Sequence, residues 1–292
     1  MAGKTREIKG RMKAVGNIKR ITKTMQMIAT ARFQAMQKRA VNARAYTQRI
    51  AEVVSELASS VGEDVSNPLL VAPEKKAGRE LLLVLTSNRG LCGAYNANVL
   101  RKSIAELRSS DHPIELEVVG KKGLAFFKFN GQTVSEFHSQ FTDTPAYEDV
   151  VALAERYMQV FTSGKYDAVR VAYMAFESAS RQTATITQLL PMKPPAAEGD
   201  AKASQTQTIY EFSPEPEELL NELLPVTVKT RLFQCFNEAV VSEQVSRMVA
   251  MKSATDAASK MGKALQRQFN RARQTAITTE LSEIISGAAA LG

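Results

Sequence analysis

The feature that most constrains the fold of this chain is a pair of long, proline-free segments at its two ends. Residues 5–58 and residues 226–286 both lack proline, and their apolar residues recur at steps of three and four positions. This spacing is typical of a helix that buries one stripe of its surface. At the rise of an α-helix the two segments would be about 75 Å and about 90 Å long. Helices of that length need a partner, so the pattern favours a shaft.

The apolar stripe of each segment can be followed residue by residue. The first stripe consists of Ile8, Met12, Val15, Ile18, Ile21, Met25, Ile28, Phe33, Met36, Ala40, Ala43, Tyr46, Ile50, Val53 and Leu57. The second consists of Leu232, Phe236, Val240, Met248, Met251, Met261, Leu265, Phe269, Ala276, Leu281 and Ile284. The first stripe uses Met and Ala more than Leu, and such small or flexible residues allow close, adaptable contact.

The middle of the chain alternates short apolar runs with helical patterns. The predicted strands cover residues 80–86, 114–120, 132–137, 166–176 and 183–190, and the predicted helices between them cover 97–109, 121–130 and 147–163. This rhythm indicates a parallel or mixed sheet with flanking helices. The expected fold class is therefore α/β plus α, with a central α/β domain between two long terminal helices.

Four segments follow from these patterns. Residues 1–58 form an N-terminal coiled-coil helix, and residues 79–191 form the central α/β domain. Residues 192–217, which contain several prolines, form a linker, and residues 218–292 form a C-terminal coiled-coil helix. Pro225 marks a start or a kink of that last helix, because proline cannot donate a helical backbone hydrogen bond.

The positive charge of the chain is concentrated on the helical ends. The formal net charge is +8, yet residues 1–50 contain thirteen Lys and Arg residues against the single acid Glu7. A partner for such a surface would be nucleic acid, anionic lipid or an acidic protein. A basic coiled-coil protein that binds nucleic acid is one reading. Only Phe33 and Tyr46 supply aromatic rings in this arm, and no nucleic-acid-reading motif accompanies them.

Few residues offer catalytic or metal chemistry. The two cysteines, Cys92 and Cys235, lie far apart and lack metal-site spacing, which predicts free thiols in a reducing compartment. His112 and His138 belong to no metal-binding pattern, so we expect both on the surface or in loops. No run of 18 apolar residues occurs, and the first ten residues do not resemble a signal peptide, so we expect neither a membrane span nor secretion.

The segment SNRGLCGAYN follows the first predicted strand, where α/β domains often bind phosphate. Its Arg89, Gly90, Cys92 and Gly93 do not have the GxGxxG spacing of a dinucleotide site, nor the GKS or GKT of a P-loop. A tight turn that needs the conformational freedom of its glycines explains it better. A nucleotide-dependent enzyme built on this loop is the weaker alternative, and we expect no cofactor.

Four segments give the chain a resemblance to a known family. They are NIKRITKTMQMIATA (17–31), SNRGLCGAYN (87–96), SEQVSRMVAMKSATDAA (242–258) and FNRARQTAITTELSEIISGAAAL (269–291). Together and in this order they resemble the γ subunit of F-type ATP synthases. The resemblance implies that the terminal helices form an antiparallel coiled coil beside a central Rossmann-like domain.

The resemblance also implies a function and partners. In this family the coiled coil penetrates a ring of three α and three β subunits, and the central domain lies beside the ε subunit and the membrane ring of c subunits. Proton flow turns the c-ring and the shaft, which drives each β subunit through the steps of ATP synthesis. The chain itself would then be non-catalytic. It would be peripheral to the bacterial plasma (inner) membrane, on the cytoplasmic face.

Specific contact residues follow from the matching motifs. The resemblance implies that Arg273, Gln274 and Thr278 contact a β subunit, with Lys23, Met25 and Arg247 as further contacts. The apolar tail, with Ile284, Ile285, Ala288 and Leu291, would turn in an apolar sleeve of the ring. The single cysteine of the central domain, Cys92, predicts that the thiol switch of chloroplast relatives is missing.

Overall fold

The computed structural model describes residues 2–61, 67–70, 77–192 and 215–291. The chain divides into two compact units, one formed by residues 1–31 with 247–292 and the other by residues 32–246. Most of the predicted linker, residues 193–214, lies outside the described residues. The four-segment division drawn from the sequence stays a prediction.

Ten helices and strands are seen in the described residues. In chain order they are α1 (Ala2–Val61), β1 (Glu80–Leu85), α2 (Tyr95–Ser109), β2 (Ile114–Val119), α3 (Lys121–Phe129), β3 (Glu136–His138), α4 (Tyr147–Thr162), β4 (Ala168–Phe176), β5 (Gln182–Leu190) and α5 (Pro216–Leu291). The predicted fold class is confirmed. Two details differ, since β3 begins later than expected and α5 passes through Pro225 instead of starting there. No helix in the described part of the chain is long and apolar enough to span a membrane.

The five strands form one mixed sheet in the order β3-β2-β1-β4-β5. The first four are parallel, with Leu82 of β1 aligned with Leu116 of β2 and with Arg170 of β4. Strand β5 runs antiparallel to β4 at one edge. Because the chain moves outward from β1 to β3 and then returns to β4, the order reverses beside β1, where doubly wound domains usually bind ligands.

The run LLLVL of β1 is apolar throughout because the sheet is covered on both faces. Leu81, Leu83 and Leu85 face a core that includes residues of α1, α4 and α5. Leu82 and Val84 face a second core, which is built with α2 and α3. Strands buried on both faces read as continuous apolar runs, because neither set of alternating side chains meets water.

In the unit of residues 1–31 and 247–292, α1 and α5 pack antiparallel. Val15 Cγ1 lies beside Gly262, and Thr22 lies against Thr255, so positions rise on one helix as they fall on the other. The buried residues of α1 in this unit are Val15, Thr22 and Ala29. Their spacing of seven residues is that of a coiled-coil seam.

Three residues of the predicted first stripe are not buried in this unit, so the prediction is wrong for them. Ile18, Ile21 and Ile28 are each about half exposed, with 51%, 58% and 51% of their surface accessible. Ile21 and Ile28 immediately precede Thr22 and Ala29, so they point about 100° away from the seam. The helix therefore has apolar residues on two faces, and only one of them packs within the chain.

The second stripe divides along its length. Leu232, Phe236 and Met251 are buried as predicted, whereas Met261, Leu281 and Ile284 are exposed. The buried members pack against other elements of their own unit, and the exposed members lie in the terminal part of α5. Periodicity alone could not separate these two groups, because both keep the same spacing along the helix.

Candidate functional site

The turn after β1 is held by hydrogen bonds among its own side chains. The backbone N–H of Ser87 donates to Asn96 Oδ1 at 3.0 Å, and Asn96 Nδ2 donates to Ser87 Oγ at 2.7 Å. The same amide donates to Cys92 Sγ at 3.2 Å. Cys92 is buried and in reach of these partners, so its thiol is part of the internal structure of the turn.

Asn88 connects this turn to two neighbouring loops. The backbone N–H of Lys121 donates to Asn88 Oδ1 at 3.2 Å, and Asn88 Nδ2 donates to the carbonyl of Phe141 at 3.2 Å. The turn itself contains two left-handed residues, Leu91 with φ 62° and Gly93 with φ 58°. Gly93 adopts this conformation without a steric penalty, whereas Leu91 does so at some cost.

The tip of the turn is exposed in the isolated chain. The side chain of Arg89 is 72% exposed, and Leu91 is 62% exposed. A guanidinium nitrogen of Arg89 lies 3.8 Å from Asp143, which also accepts a hydrogen bond from Arg32 at 2.6 Å. Gly90 lies beside the Lys122 side chain. Of the four predicted turn residues, Cys92 thus lies inside and Arg89 projects outward.

The crevice at the carboxyl ends of β1 and β2 is filled by the chain itself. Side chains of α5, including Phe236, Ala239 and Glu243, line it together with Phe141 and Asn88. The rings of Phe141 and Phe236 stack with their centres 4.6 Å apart. The space that remains is a cavity of about 30 Å³, which is the size of a water molecule.

The space that this filling leaves is small. Ligand pockets for small molecules measure about 300–1,000 Å³, about ten to thirty times the volume of the cavity beside Asn88 and Thr86. Helix α5 covers the carboxyl ends of β1 and β2 at this cavity. At this edge of the sheet, α5 packs against the strand ends and the loops that follow them.

A cluster of charged and polar side chains lies between β2, β3 and α4. Glu117 Oε2 accepts hydrogen bonds from Tyr157 Oη at 2.7 Å and from His138 Nε2 at 2.8 Å. Arg156 donates to both Glu117 and Glu136. Glu117, His138 and Tyr157 are buried, so the expectation that His138 lies on the surface or in a loop is wrong. The sequence signal that could have revealed the cluster is the glutamate inside the apolar run IELEVV.

The cluster shifts the pKa values of Glu117 and Tyr157. Burial alone would raise the pKa of Glu117, but hydrogen bonds from His138 and Tyr157 and the charge of Arg156 outweigh it and lower the pKa. Burial, followed by the charge of Glu117, raises the pKa of Tyr157 well above its usual value. Tyr157 therefore remains a neutral hydrogen-bond donor.

The same cluster has the composition of a metal site but already contains a cation. Potential ligand atoms of Glu117, Glu136 and His138 lie within 4.8 Å of one another. The guanidinium of Arg156 donates to the carboxylates of both Glu117 and Glu136, so one positive charge already balances part of their negative charge. The arrangement joins β2 and β3 to α4 through one buried carboxylate, that of Glu117.

The residues expected to contact a partner lie on α1 and α5 in the unit of residues 1–31 and 247–292. Lys23, Arg273, Gln274 and Thr278 are exposed there, and Met25 is half-buried. Arg247 differs from them because only 8% of its surface is accessible. The structure thus leaves five of these six polar and apolar side chains at least partly accessible to another subunit.

The end of α5 presents apolar surface. Ile284 and Ile285 are 67% and 66% exposed, and Ala288 is also exposed. The backbone of Leu291 is helical, but its side chain lies outside the described residues. Exposed isoleucines at the end of a helix that carries basic residues indicate a surface buried in a partner.

Comparison with known proteins shows which family the chain is similar to. The ATP synthase family model matches residues 4–291 of the chain. The ATP synthase gamma chain of Rhodopirellula baltica is 44% identical, and the match covers 98% of each chain. That of Mycolicibacterium gilvum is 39% identical over 100% of this chain and 99% of its own. The chain belongs to the ATP synthase gamma chain family.

Solved structures show the same fold at lower sequence identity. A chain from the mitochondrial ATP synthase of Euglena gracilis has a TM-score of 0.68 and 19% identity, and covers 100% of this gamma-family chain and 95% of its own. A central-stalk chain of the Tetrahymena thermophila enzyme has a TM-score of 0.56, with 23% identity over 80% of this chain and 99% of its own. Family membership confirms the resemblance and leaves the nucleic-acid-binding alternative unsupported.

Proposed function

We propose that this chain is the central rotor shaft of an F-type ATP synthase. It couples ion-driven rotation of the c-ring to the conformational cycle of the catalytic β subunits, and it supports the reverse process of ATP-driven pumping. The observation that carries the proposal is the exposed apolar end of α5, where Ile284 and Ile285 belong to a sequence that matches gamma chains over its full length.

The mechanism requires no bond chemistry in this chain. A shaft that contacts three equivalent β subunits unequally stabilises a different conformation in each of them, because a ligand shifts an equilibrium only through its differential affinity. Rotation then moves each β subunit through the states in turn. Lys23, Arg273, Gln274 and Thr278 are exposed, and Met25 is half-buried, so we assign such contacts to them.

The apolar tail acts as a bearing in this proposal. Ile284, Ile285, Ala288 and Leu291 would lie in an apolar sleeve of α and β subunits, whose contact is non-directional and therefore compatible with turning. The central domain would bind the ε subunit and the c-ring. The protein would associate with the cytoplasmic face of the bacterial plasma membrane through the c-ring, as a peripheral subunit.

Reconstitution with α and β subunits from the same organism tests the function. We expect one copy of this chain to assemble with three copies each of α and β, and to raise the steady rate of ATP hydrolysis. The chain alone should hydrolyse no ATP. A chain that neither joins the ring nor changes its rate would contradict the rotor function.

A further inference from the structure

Helices α2 and α3 cover one face of the sheet, and their outward surface is strongly basic. Residues of both helices pack into the core that contains Leu82 and Val84, so the two helices lie on the same face. Their exposed basic residues are Arg101, Lys102, Arg108, Lys121, Lys122 and Lys128. Their single acid, Glu106, is already bound to Arg170 of β4. None of the six basic side chains has a carboxylate partner among the described residues, so their charge is available to a ligand outside the chain.

The exposed residues follow one stripe on each helix. On α3 they are Lys121, Lys122, Ala125, Lys128 and Phe129, and on α2 they include Ala97, Arg101, Ala105 and Arg108. Steps of three and four positions place the members of each stripe on one face of their helix. The chain between the two helices adds one exposed acid, Asp111. Because the alanines are short, the basic side chains and Phe129 project beyond them.

The side chain of Phe129 has no packing role in the described part of the chain. It is the most exposed of the large hydrophobic residues described, with 90% of its surface accessible, and it directly follows Lys128 at the end of α3. Phe127 is fully buried, and Phe126 packs against it with ring centres 5.6 Å apart. The core beneath α3 is therefore filled without Phe129, and an exposed ring at this position calls for a ligand outside the chain.

The chemistry of this surface favours an anionic membrane over other acidic partners. Protein interfaces have an apolar core, whereas Phe129 is the only large hydrophobic residue exposed on the described helices α2 and α3. Proteins that bind single-stranded nucleic acid stack successive bases on aromatic side chains, and one ring cannot do so. Exposed aromatic and basic residues together are typical of surfaces that lie at the boundary between lipid headgroups and acyl chains. Each basic residue near an anionic leaflet adds to the attraction.

We propose that the outward surface of α2 and α3 binds anionic phospholipid directly. The ring of Phe129 inserts between the headgroups, and the six basic residues of the two helices pair with lipid phosphates. The inference goes beyond the proposed function, because it adds a direct contact with lipid to an association through the c-ring. It requires no other subunit, so it can be tested on the full-length chain alone.

A tryptophan at position 129 reports insertion directly, because the chain contains no tryptophan of its own. We expect the emission of Phe129→Trp to shift to the blue and to be quenched by brominated acyl chains, in vesicles of phosphatidylcholine with phosphatidylglycerol and not in vesicles of phosphatidylcholine alone. Tyr147→Trp is the matched control, since Tyr147 is 40% exposed on α4, which covers the other face of the sheet. Equal quenching of the two variants, or quenching of neither, would overturn the inference.

Removing one charge tests the part played by the basic residues. Lys128→Gln changes the proposed surface, and Lys38→Gln removes the same charge from an exposed position of α1. We expect Lys128→Gln to lower the affinity for the phosphatidylglycerol vesicles about fivefold more than Lys38→Gln does, as loss of one basic residue near an anionic surface would. The difference should disappear at high salt, because the attraction is screened. Equal losses at low salt would mean that only the overall charge of the chain matters.

Two further measurements separate this proposal from others. Inorganic phosphate without vesicles should leave the emission of Phe129→Trp unchanged, and a shift with phosphate alone would overturn the assignment to a membrane. A blue shift on assembly with other subunits in the absence of lipid would mean that a protein covers the ring, and would overturn it as well. If the free chain inserts but does not assemble with α and β, the rotor function fails and the lipid site stands; assembly without insertion gives the reverse result.

Discussion

Thr22 and Thr255 bind each other across the seam of the two terminal helices. Their hydroxyl oxygens lie 2.8 Å apart, and both residues are buried. A polar pair inside an apolar seam favours one register of the two helices, because a shift would separate the two hydroxyls and leave each with only a carbonyl of its own helix, Lys19 for Thr22 and Met251 for Thr255. The contact joins positions 22 and 255 of a chain whose ends have no local reason to meet.

The hydrogen bond between Thr22 and Thr255 predicts that replacing one threonine lowers the free energy of unfolding more than replacing both. We expect Thr255→Val to lower the free energy of unfolding by about 1 kcal/mol, because the Thr22 hydroxyl loses its cross-helix partner. The double variant Thr22→Val with Thr255→Val should be close to wild type, since both polar groups are then removed. Thermal unfolding measures both, and Thr275→Val, at an exposed position of α5, is the control. A double loss equal to the sum of the single losses would contradict the pairing.

The glycine that follows β2 should tolerate no side chain. Gly120 has φ 96°, and a Cβ there would overlap the carbonyl oxygen of Thr86. We expect Gly120→Ala to cost about 3–5 kcal/mol, because left-handed strain and a backbone clash combine. Gly131→Ala is the control, since Gly131 has φ 69° but open space around it, and should cost about 1 kcal/mol. Urea denaturation compares them, and equal costs would exclude the clash with Thr86.

The buried carboxylate predicts the acid sensitivity of the central domain. The pKa of Glu117 in the folded protein lies below the ordinary glutamate value of 4.5, so its charge stabilises the fold above that pH. This contribution is lost as the pH falls through the folded-state pKa. We expect Glu117→Gln to cost about 3 kcal/mol at pH 7, because Arg156 loses its buried partner.

Urea denaturation between pH 7 and pH 4 measures this linkage. The difference between wild type and Glu117→Gln should begin to shrink as the pH falls below about 4.5, since the carboxyl of the unfolded wild type then takes up a proton before that of the folded protein does. Glu115→Gln, on the same strand but half-buried beside Lys165, is the matched control. A difference that stays constant over the pH range would show that the charge of Glu117 does not stabilise the fold.

The thiol of Cys235 should be inert in the folded protein. Burial, with the charge of Glu238, raises the pKa of Cys235 to about 12, so almost no thiolate forms at neutral pH. In a Cys92→Ser background we expect iodoacetamide at pH 8 to react more than about a thousandfold more slowly with native than with unfolded protein. Mass spectrometry follows the labelling. Comparable rates in the two states would contradict the burial of Cys235.

The apolar end of α5 should matter for assembly and not for the stability of the isolated chain. Removing residues 284–292 takes away exposed side chains such as Ile284 and Ile285, so the thermal stability of the isolated chain should change by about 0.5 kcal/mol or less. ATP synthesis by the reconstituted complex should fall. Ser282→Asp is a control at a neighbouring exposed position. Wild-type synthesis after the truncation would rule out the bearing role.

Local patterns in the sequence predicted most elements correctly. The apolar run of β1 and the Pro-free spacing of the terminal helices depend on short stretches of chain, which is why they can be read without a structure. The short strand β3 was placed too early, because three residues carry too little periodicity. The helix start expected at Pro225 is wrong, since α5 begins at Pro216 and continues through Pro225, while a kink there stays a prediction.

What the sequence determined by itself is the set of elements and the basic, apolar character of the two ends, because propensity and periodicity act over neighbouring residues. Only the tertiary structure decided which apolar faces are buried. Ile21 and Thr22 are adjacent, yet the threonine lies in the seam and the isoleucine faces outward. The burial of His138 beside Glu117 likewise depends on contacts between distant segments, which local spacing does not encode.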